Sequence, residues 1–162
     1  EASLVGSEMC IRDRFNNRFW ENESLNGWGN TDLPEEIWQP SWDMTGNTGV
    51  LMSYLRWSAA EDMDTLNQDE RNNAVLNRWE NIFEGSINNF DKGVSKSWVL
   101  DEWSKGAWAS PTTSQNETLN ESIAQIEGRI HFAGEHASND RGWMQGALFS
   151  GLRAATEIKN AN

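Results

Sequence analysis

The sequence predicts a mixed α/β fold, α+β in its segregation, and three observations carry that prediction. Gly49 to Trp57 is a compact apolar run of strand length. A helix signal opens at Asn67, and apolar residues follow it at helical spacing. Arg129–Ala133 is a short apolar run that crosses a polar loop into a helix from Met144 to Asn160. At 162 residues the chain is long enough to bury a core.

The elements are taken in chain order. Asn17 to Trp20 reads as the end of a strand, and the Gly-, Asn-, Pro- and Trp-rich stretch from Glu21 to Gly49 favours turns. The run at 49–57 is expected to be a strand buried on both faces. Asn67 can cap a helix with Glu70 at its third position. Val75, Leu76, Trp79, Ile82 and Phe83 then share one face, and Gly85 stops it. Lys96–Leu100 suggests another strand before the Gly106-Ala-Trp108 turn. Pro111–Ser122 reads as a polar loop, with room for a short helix after it. In the final helix Ala147, Leu148, Gly151, Leu152, Ala155 and Ile158 form one stripe.

Composition narrows the function classes. The formal net charge is −12, from 25 acidic and 13 basic residues, so nucleic acid is not an expected partner, because binding it requires basic clusters that displace counterions. No run of about 18 apolar residues is present to cross a bilayer. Residues 1–14, with Ser3-Leu-Val-Gly-Ser-Glu-Met-Cys-Ile-Arg-Asp-Arg14 at their centre, show no period and read as translated sequencing-adapter sequence. A signal peptide would need a longer, uncharged apolar core. The segment is therefore set aside as a non-native artefact, and Cys10, the one cysteine, with it. The natural chain is then expected to begin upstream of Phe15, which leaves secreted and cytoplasmic locations both open. Sequons at Asn22, Asn116 and Asn120 matter only in a secretory protein.

The C-terminal segment carries the most chemistry. A helix N-terminus offers unpaired N–H groups and a partial positive charge. One beginning near Gly142 could aim them at an electron-rich carbonyl or a developing anion. Gly146, Ala147, Ser150, Gly151, Ala154 and Ala155 leave room for a flat ligand or another backbone. Glu135 could accept hydrogen bonds from sugar hydroxyls. From the residues alone, a small-residue helix packed on a sheet with a solvated Glu135 is the favoured reading.

Three blocks shift that balance: Phe-Ala-Gly-Glu-His at 132–136, Gly-Trp-Met-Gln-Gly-Ala-Leu at 142–148 and Ser-Gly-Leu-Arg-Ala-Ala at 150–155. In this order and spacing they resemble the closing strand and helix of the flavin amine oxidases, the family of monoamine, polyamine and L-amino-acid oxidases. Arg18-Phe-Trp-Glu21, Thr31-Asp-Leu-Pro34, the 49–57 run and Trp98 through Trp108 extend the resemblance upstream. It covers residues 15 to about 160 and is closest to the L-amino-acid oxidase branch.

The resemblance implies an incomplete FAD-binding flavoprotein fold. Residues 15–110 would be a portion of the mixed-sheet substrate domain, 111–126 a connecting loop, and 127–160 the last strand and helix of the FAD domain. It implies that Gly134 and Glu135 approach the cofactor, that Gly142, Trp143 and Met144 meet the flavin edge, and that Trp98 and Trp103 line it. Trp108 and Trp143, with Gly142, would flank the substrate as aromatic walls. The implied reaction passes a hydride from a primary or secondary amine, expected to be an L-amino acid, to flavin N5. Imine hydrolysis then gives keto acid and ammonia, and oxygen becomes hydrogen peroxide.

Departures from the family matter as well. Ala107 stands where some members tether FAD through cysteine, so the FAD is expected to be non-covalent. Asp91 lies near the place of a substrate-clamping tyrosine, and Tyr54, the sole tyrosine, lies elsewhere. The dinucleotide-binding glycine fingerprint and the lysine near N5 are absent, so the missing N-terminal part of the same chain is an expected partner. No catalytic or metal-ligating residue is assigned, and His131 and His136 are expected to be structural. Of the ten tryptophans, Trp20, Trp57 and Trp79 are expected in the core. The other readings are a polyamine or monoamine oxidase, and a non-enzymatic Trp-rich carbohydrate-binding module.

Overall fold

A computed structural model describes residues 6–161. They form two compact units, one of residues 7–104 and one of Gly6 with residues 105–161.

The first unit is built on an antiparallel sheet. Its strands are β1 (Glu8–Phe15), β2 (Gly29–Asn30), β3 (Glu36–Trp38), β4 (Gly49–Arg56) and β5 (Phe90–Ser97), in the order β2-β3-β4-β1-β5. β1 pairs along its whole length with β4, from Glu8 opposite Arg56 to Phe15 opposite Gly49. On its other edge it pairs with β5, from Met9 opposite Ser97 to Phe15 opposite Phe90, with an irregularity at Arg14/Phe15. Helices α1 (Trp57–Asp64) and α2 (Gln68–Ile82) pack against β1, with α1 also on β4 and α2 on β5. A short α3 (Ser86–Asn89) leads back into β5.

The core lies between one face of the sheet and these helices. Met9, Ile11, Phe15, Leu51 and Leu55 meet Val75, Leu76, Trp79 and Phe83, all buried. Trp20 is also fully buried and sets its ring edge-on to Phe15 and Phe19. The Asn67 cap forms as the sequence predicts. Its Oδ1 accepts from the Glu70 N–H at 3.1 Å, and the Glu70 carboxylate accepts from the Asn67 N–H at 2.9 Å. Gly85 takes a left-handed φ of 94° after the helix ends.

Several sequence-based expectations are corrected. Residues 1–14 do not stand apart from the fold, since residues 8–14 form most of β1, an interior strand paired on both edges; residues 1–5 lie outside the described residues. The Asn17–Trp20 stretch is not a strand end, because β1 stops at Phe15 and Phe19–Glu23 form a 3-10 turn. β4 buries alternate residues, not both faces: Leu51, Ser53 and Leu55 point inward while Val50, Met52 and Tyr54 are half-buried. The strand expected at Lys96–Leu100 runs instead from Phe90 to Ser97. Trp57 is half-exposed at the start of α1, with φ 51°, and is not a core residue.

The β1 strand buries polar groups. Asp13 is fully buried. Its Oδ2 accepts from the Trp79 indole N–H at 2.8 Å, and among the described residues Oδ1 has no partner. Burial pushes the Asp13 carboxyl up to about 7, against which the Trp79 hydrogen bond works. The Asn72 Oδ1 is likewise without a partner. Cys10 is buried beside Glu8, and burial pushes its thiol up to about 12.

The second unit carries α4 (Thr113–Leu119) and α5 (Met144–Asn160), with a 3-10 turn at Glu135–Ala137. α4 falls inside the expected polar loop. Thr112 and Gln115 form its reciprocal cap, with Gln115 N–H to Thr112 Oγ1 and Thr112 N–H to Gln115 Oε1. The strand expected at Arg129–Ala133 does not form: only Ile130 pairs, in a single bridge with Glu127. A strand needs a neighbouring strand for its N–H and C=O groups, and 131–133 have none among the described residues. The α5 stripe is exposed as well, with Leu148 and Leu152 each about 70% accessible. Gly146, Ser150 and Ala154 are the buried face.

Candidate functional site

The residues from Phe132 to Trp143 wind along the buried face of α5, and α5 itself holds them there. Gly134, at φ 143°, donates its N–H to Ser150 Oγ at 2.9 Å. The Ser150 hydroxyl reaches the Gly134 carbonyl at 2.8 Å and the Ala147 carbonyl at 2.9 Å. A side chain on Gly146 would collide with the Asp140 carbonyl oxygen, so glycine is what lets this loop press against the helix. Arg153 donates to the Phe132 carbonyl at 2.8 Å and to Glu157 Oε1 at 2.6 Å. Glu157 also meets His131 Nδ1 at 3.0 Å. The hydrogen bonds from His131 and then Arg153 hold the Glu157 carboxyl below its usual range.

Glu135 has an unusual pair of partners. One carboxylate oxygen accepts from the Ala109 N–H and the other from the Gly142 N–H, both at 2.7 Å. Gly142 takes φ 77°, which glycine adopts without strain, and a side-chain carbon there would rest 3.7 Å from the Trp108 ring. Trp108 is half-buried, with its carbonyl accepting from the Gly6 N–H at 2.8 Å. Trp143 begins α5 as its N-cap residue without a side-chain cap, and 70% of its surface is exposed. The N–H groups of the first helical turn therefore point from an uncapped, positively polarised end, beside an exposed indole. That donor set suits the electron-rich, carbonyl-bearing edge of a flat heterocycle such as a flavin.

Gly134, Glu135, Gly142, Trp143, Met144 and Trp108 all fall in this unit, on the loop, the helix start and the Trp108 turn. Trp98 and Trp103 belong to the sheet unit. Trp98 is half-buried, with the Lys96 ammonium 5.3 Å from its ring, and Trp103 is almost fully exposed. The Lys96 pairing and the backbone of Ser104 hold Asp101 far below the usual carboxylate range. His136 is exposed, and its carbonyl accepts from Arg141 Nε.

Sequence reasoning treated Ser150 only as a small residue and gave Arg153 no role. Their hydrogen bonds span 16 and 21 residues, a pairing that no local spacing signals. A cavity of about 390 Å³ lies beside the loop, lined by Arg141, Phe149, Ser150 and Arg153 among others. Both guanidinium groups there are already engaged, Arg141 with Asn116 and Asn120 and Arg153 with Glu157. Among the described residues, no group of three or more His, Cys, Asp and Glu side chains is placed to hold a metal.

Comparison with known proteins shows the family and the fold. The chain is 34% identical to an L-amino-acid oxidase of Siganus canaliculatus over 152 residues, which is 89% of this chain and 28% of that protein. It superposes on a cyclohexylamine oxidase from Brevibacterium oxydans IH-35A with a TM-score of 0.86 at 20% identity, covering 96% of this chain and 35% of the other. On a wild-type putrescine oxidase bound to putrescine the TM-score is 0.85 at 20% identity, covering 96% and 36%. These superpositions establish the fold: a mixed α/β part of the oxidase architecture. The chain spans about a third of the length of the relatives it matches. The sequence pattern described as flavin containing amine oxidoreductase matches residues 5–159, and the chain belongs to that family.

Proposed function

We propose that this chain is part of an FAD-dependent amine oxidase acting on an L-amino acid, with the flavin bound non-covalently. One observation carries the reading: an uncapped helix N-terminus at Trp143–Met144 is held by Glu135 and Gly142 next to Trp108. In this reading the N–H groups of Trp143 and Met144 face the flavin's pyrimidine edge, where negative charge develops on reduction. When bound, the flavin supplies two-electron oxidation of the amine's C–N bond and is returned to its oxidised form by oxygen, which becomes hydrogen peroxide. Trp108 and Trp143 orient the substrate and exclude water between their rings. The resemblance assigns Gly134 to the approach of the cofactor, and Trp98 and Trp103 to its lining. No residue of this chain is assigned as general base.

Ala107, which precedes Trp108, cannot form a thioether, and this supports non-covalent binding. The amino-acid substrate follows the L-amino-acid oxidase relatives. Cyclohexylamine and putrescine oxidases are its structural neighbours, so a monoamine or polyamine is the second reading. Leu148, Phe149 and Leu152 form an exposed apolar face on α5. We assign it to contact with another part of a longer protein, which also supplies the dinucleotide grip.

The test is hydrogen peroxide release by the full-length parent with a panel of L-amino acids, monoamines and polyamines. Peroxide from amino acids alone supports the proposal, and peroxide from diamines alone moves the substrate to the second reading. A flavin-free, inactive parent refutes it. Trp143→Ala should retain FAD and lose activity. The 162-residue chain by itself should copurify without flavin absorbance.

A further inference from the structure

We infer that Arg141 is a positioning residue for the start of α5, fastening the loop that enters this helix onto α4 through the paired carboxamides of Asn116 and Asn120. This deepens the oxidase reading and rests on it for what the N–H groups of Trp143 and Met144 do.

The inference starts from the partners of the guanidinium. Arg141 Nη1 donates to Asn116 Oδ1 at 2.6 Å and Nη2 to Asn120 Oδ1 at 2.7 Å, while Nε donates to the His136 carbonyl at 3.2 Å. The two asparagines stand four residues apart, on α4 and at its C-cap, a spacing that puts both side chains on one helix face. A planar guanidinium matches two acceptors held side by side, and a lysine ammonium does not. Both asparagines head sequons, which is all that sequence reasoning saw in them. In the fold they are a matched acceptor pair.

Charge and packing agree with this role. Among the described residues no carboxylate forms an ion pair with Arg141, so neutral oxygens are what meet its charge. α4 has no buried residue, and a helix of seven residues is marginal without tertiary support. The Arg141 fork supplies two polar ties in place of a buried face. On the other side of the fork, the Asp140 carbonyl presses against Gly146 of α5, and the Asp140 N–H donates to Ser138 Oγ at 2.9 Å. Gly142 follows Arg141 with its left-handed φ of 77°, and Trp143 then caps α5. Arg141 is thus two residues from the N-cap, and the chain's entry into α5 is set between the fork and the Asp140–Gly146 contact. In the oxidase reading, a shift of that entry displaces the Trp143 and Met144 N–H groups from the charge they stabilise on reduction.

The experiment uses the full-length parent holoenzyme. It compares wild type with Arg141→Ala, Arg141→Lys, the pair Asn116→Ala with Asn120→Ala, and the triple variant that joins this pair to Arg141→Ala. Two readouts are taken: amide exchange in residues 113–120 and 142–147, and the rate of flavin reduction by the amine without oxygen. The expected result is faster exchange in both segments for Arg141→Ala and for the asparagine pair, with flavin content equal to wild type. Flavin reduction should slow about tenfold in each, less than for loss of a whole donor, because the N–H groups are displaced and not removed. Arg141→Lys should fall between, since it keeps the charge and loses the fork. The triple variant should be no slower than Arg141→Ala, because the fork acts as one unit. Faster exchange in α4 alone, with reduction at the wild-type rate, would overturn the inference, since Arg141 would then only fasten α4. Additive losses in the triple variant would overturn it as well. If Arg141→Ala does not fold or does not hold flavin, the asparagine pair, both exposed, decides the same question. A wild-type parent without flavin would sink the oxidase reading alone, because the exchange of 142–147 would still decide the fastening.

Discussion

Replacing Asp13 by Asn should remove a pH-dependent share of the sheet unit's stability that the native chain loses as pH rises. The sign follows from the raised carboxyl. Asp13 sits at about 7 when folded, against an ordinary value of 3.8. An acid whose folded value is raised binds more protons folded than unfolded, so its stabilising share is complete below 3.8 and is lost as pH rises through 7. At about 1.4 kcal/mol for each pH unit between those values, the full loss is about 4 kcal/mol. Between pH 5 and pH 8, where most of that interval lies, the loss is about 2–3 kcal/mol. Against a typical total of about 5–15 kcal/mol this is a large fraction. Asp13 is fully buried, so solvent screening does not reduce it. In D13N the Asn oxygen can still accept from Trp79. The assay is urea unfolding followed by circular dichroism at pH 5 and pH 8 for both chains. The wild-type value minus that of D13N cancels the other carboxylates and should fall by about 2–3 kcal/mol across the window. A difference that stays flat would refute the reasoning.

Four further outcomes are expected. Asn67→Ala removes half of the reciprocal cap of α2 and should cost about 1 kcal/mol in the same urea titration. Gly146→Ala drives a methyl group into the Asp140 carbonyl, and amide exchange in residues 134–142 should accelerate while that of β1 is unchanged. Cys10 should resist a disulfide-exchange reagent at pH 8 until the chain is unfolded, because the reactive thiolate is suppressed in the fold. Leu148→Lys with Leu152→Lys should lower dye binding by the 162-residue chain and should weaken flavin retention in the full-length parent; a parent holding flavin as tightly as wild type would refute the assigned contact.

What could be read from the sequence was what is decided locally. The Asn67/Glu70 cap and the helical face from Val75 to Phe83 depend on residues within a few turns of each other, and both appear as expected. The helix from Met144 to Asn160 also matches, since its composition favours it throughout. β1 escaped because its pattern is ambiguous. Arg12 and Arg14 face solvent as a strand pattern requires, but Glu8 and Asp13 are charged residues on buried positions. Only two partner strands, 34 or more residues away, make sense of them. Arg129–Ala133 fails in the opposite way, being apolar enough for a strand but without a neighbour to pair with. The residues proposed for the candidate site could be named from the sequence because their blocks are contiguous. Its wiring was not: Glu135 reaches back 26 residues to Ala109, and that distance is set by folding alone.

The place of β1 in the sheet also bears on how the chain is made. Both of its edges are covered by strands that come later, and β5 ends at Ser97, some 80 residues after Phe15. At about 5–20 residues per second, β1 waits about 4–16 s on the ribosome for its last neighbour. Both edges of the segment with Met9, Ile11 and Phe15 stay open until β4 is made, and one stays open until β5 follows, a template for pairing with other nascent chains. Chaperone demand during synthesis should therefore track the rate at which residues 16–97 are translated, and slow codons there should lower the soluble yield.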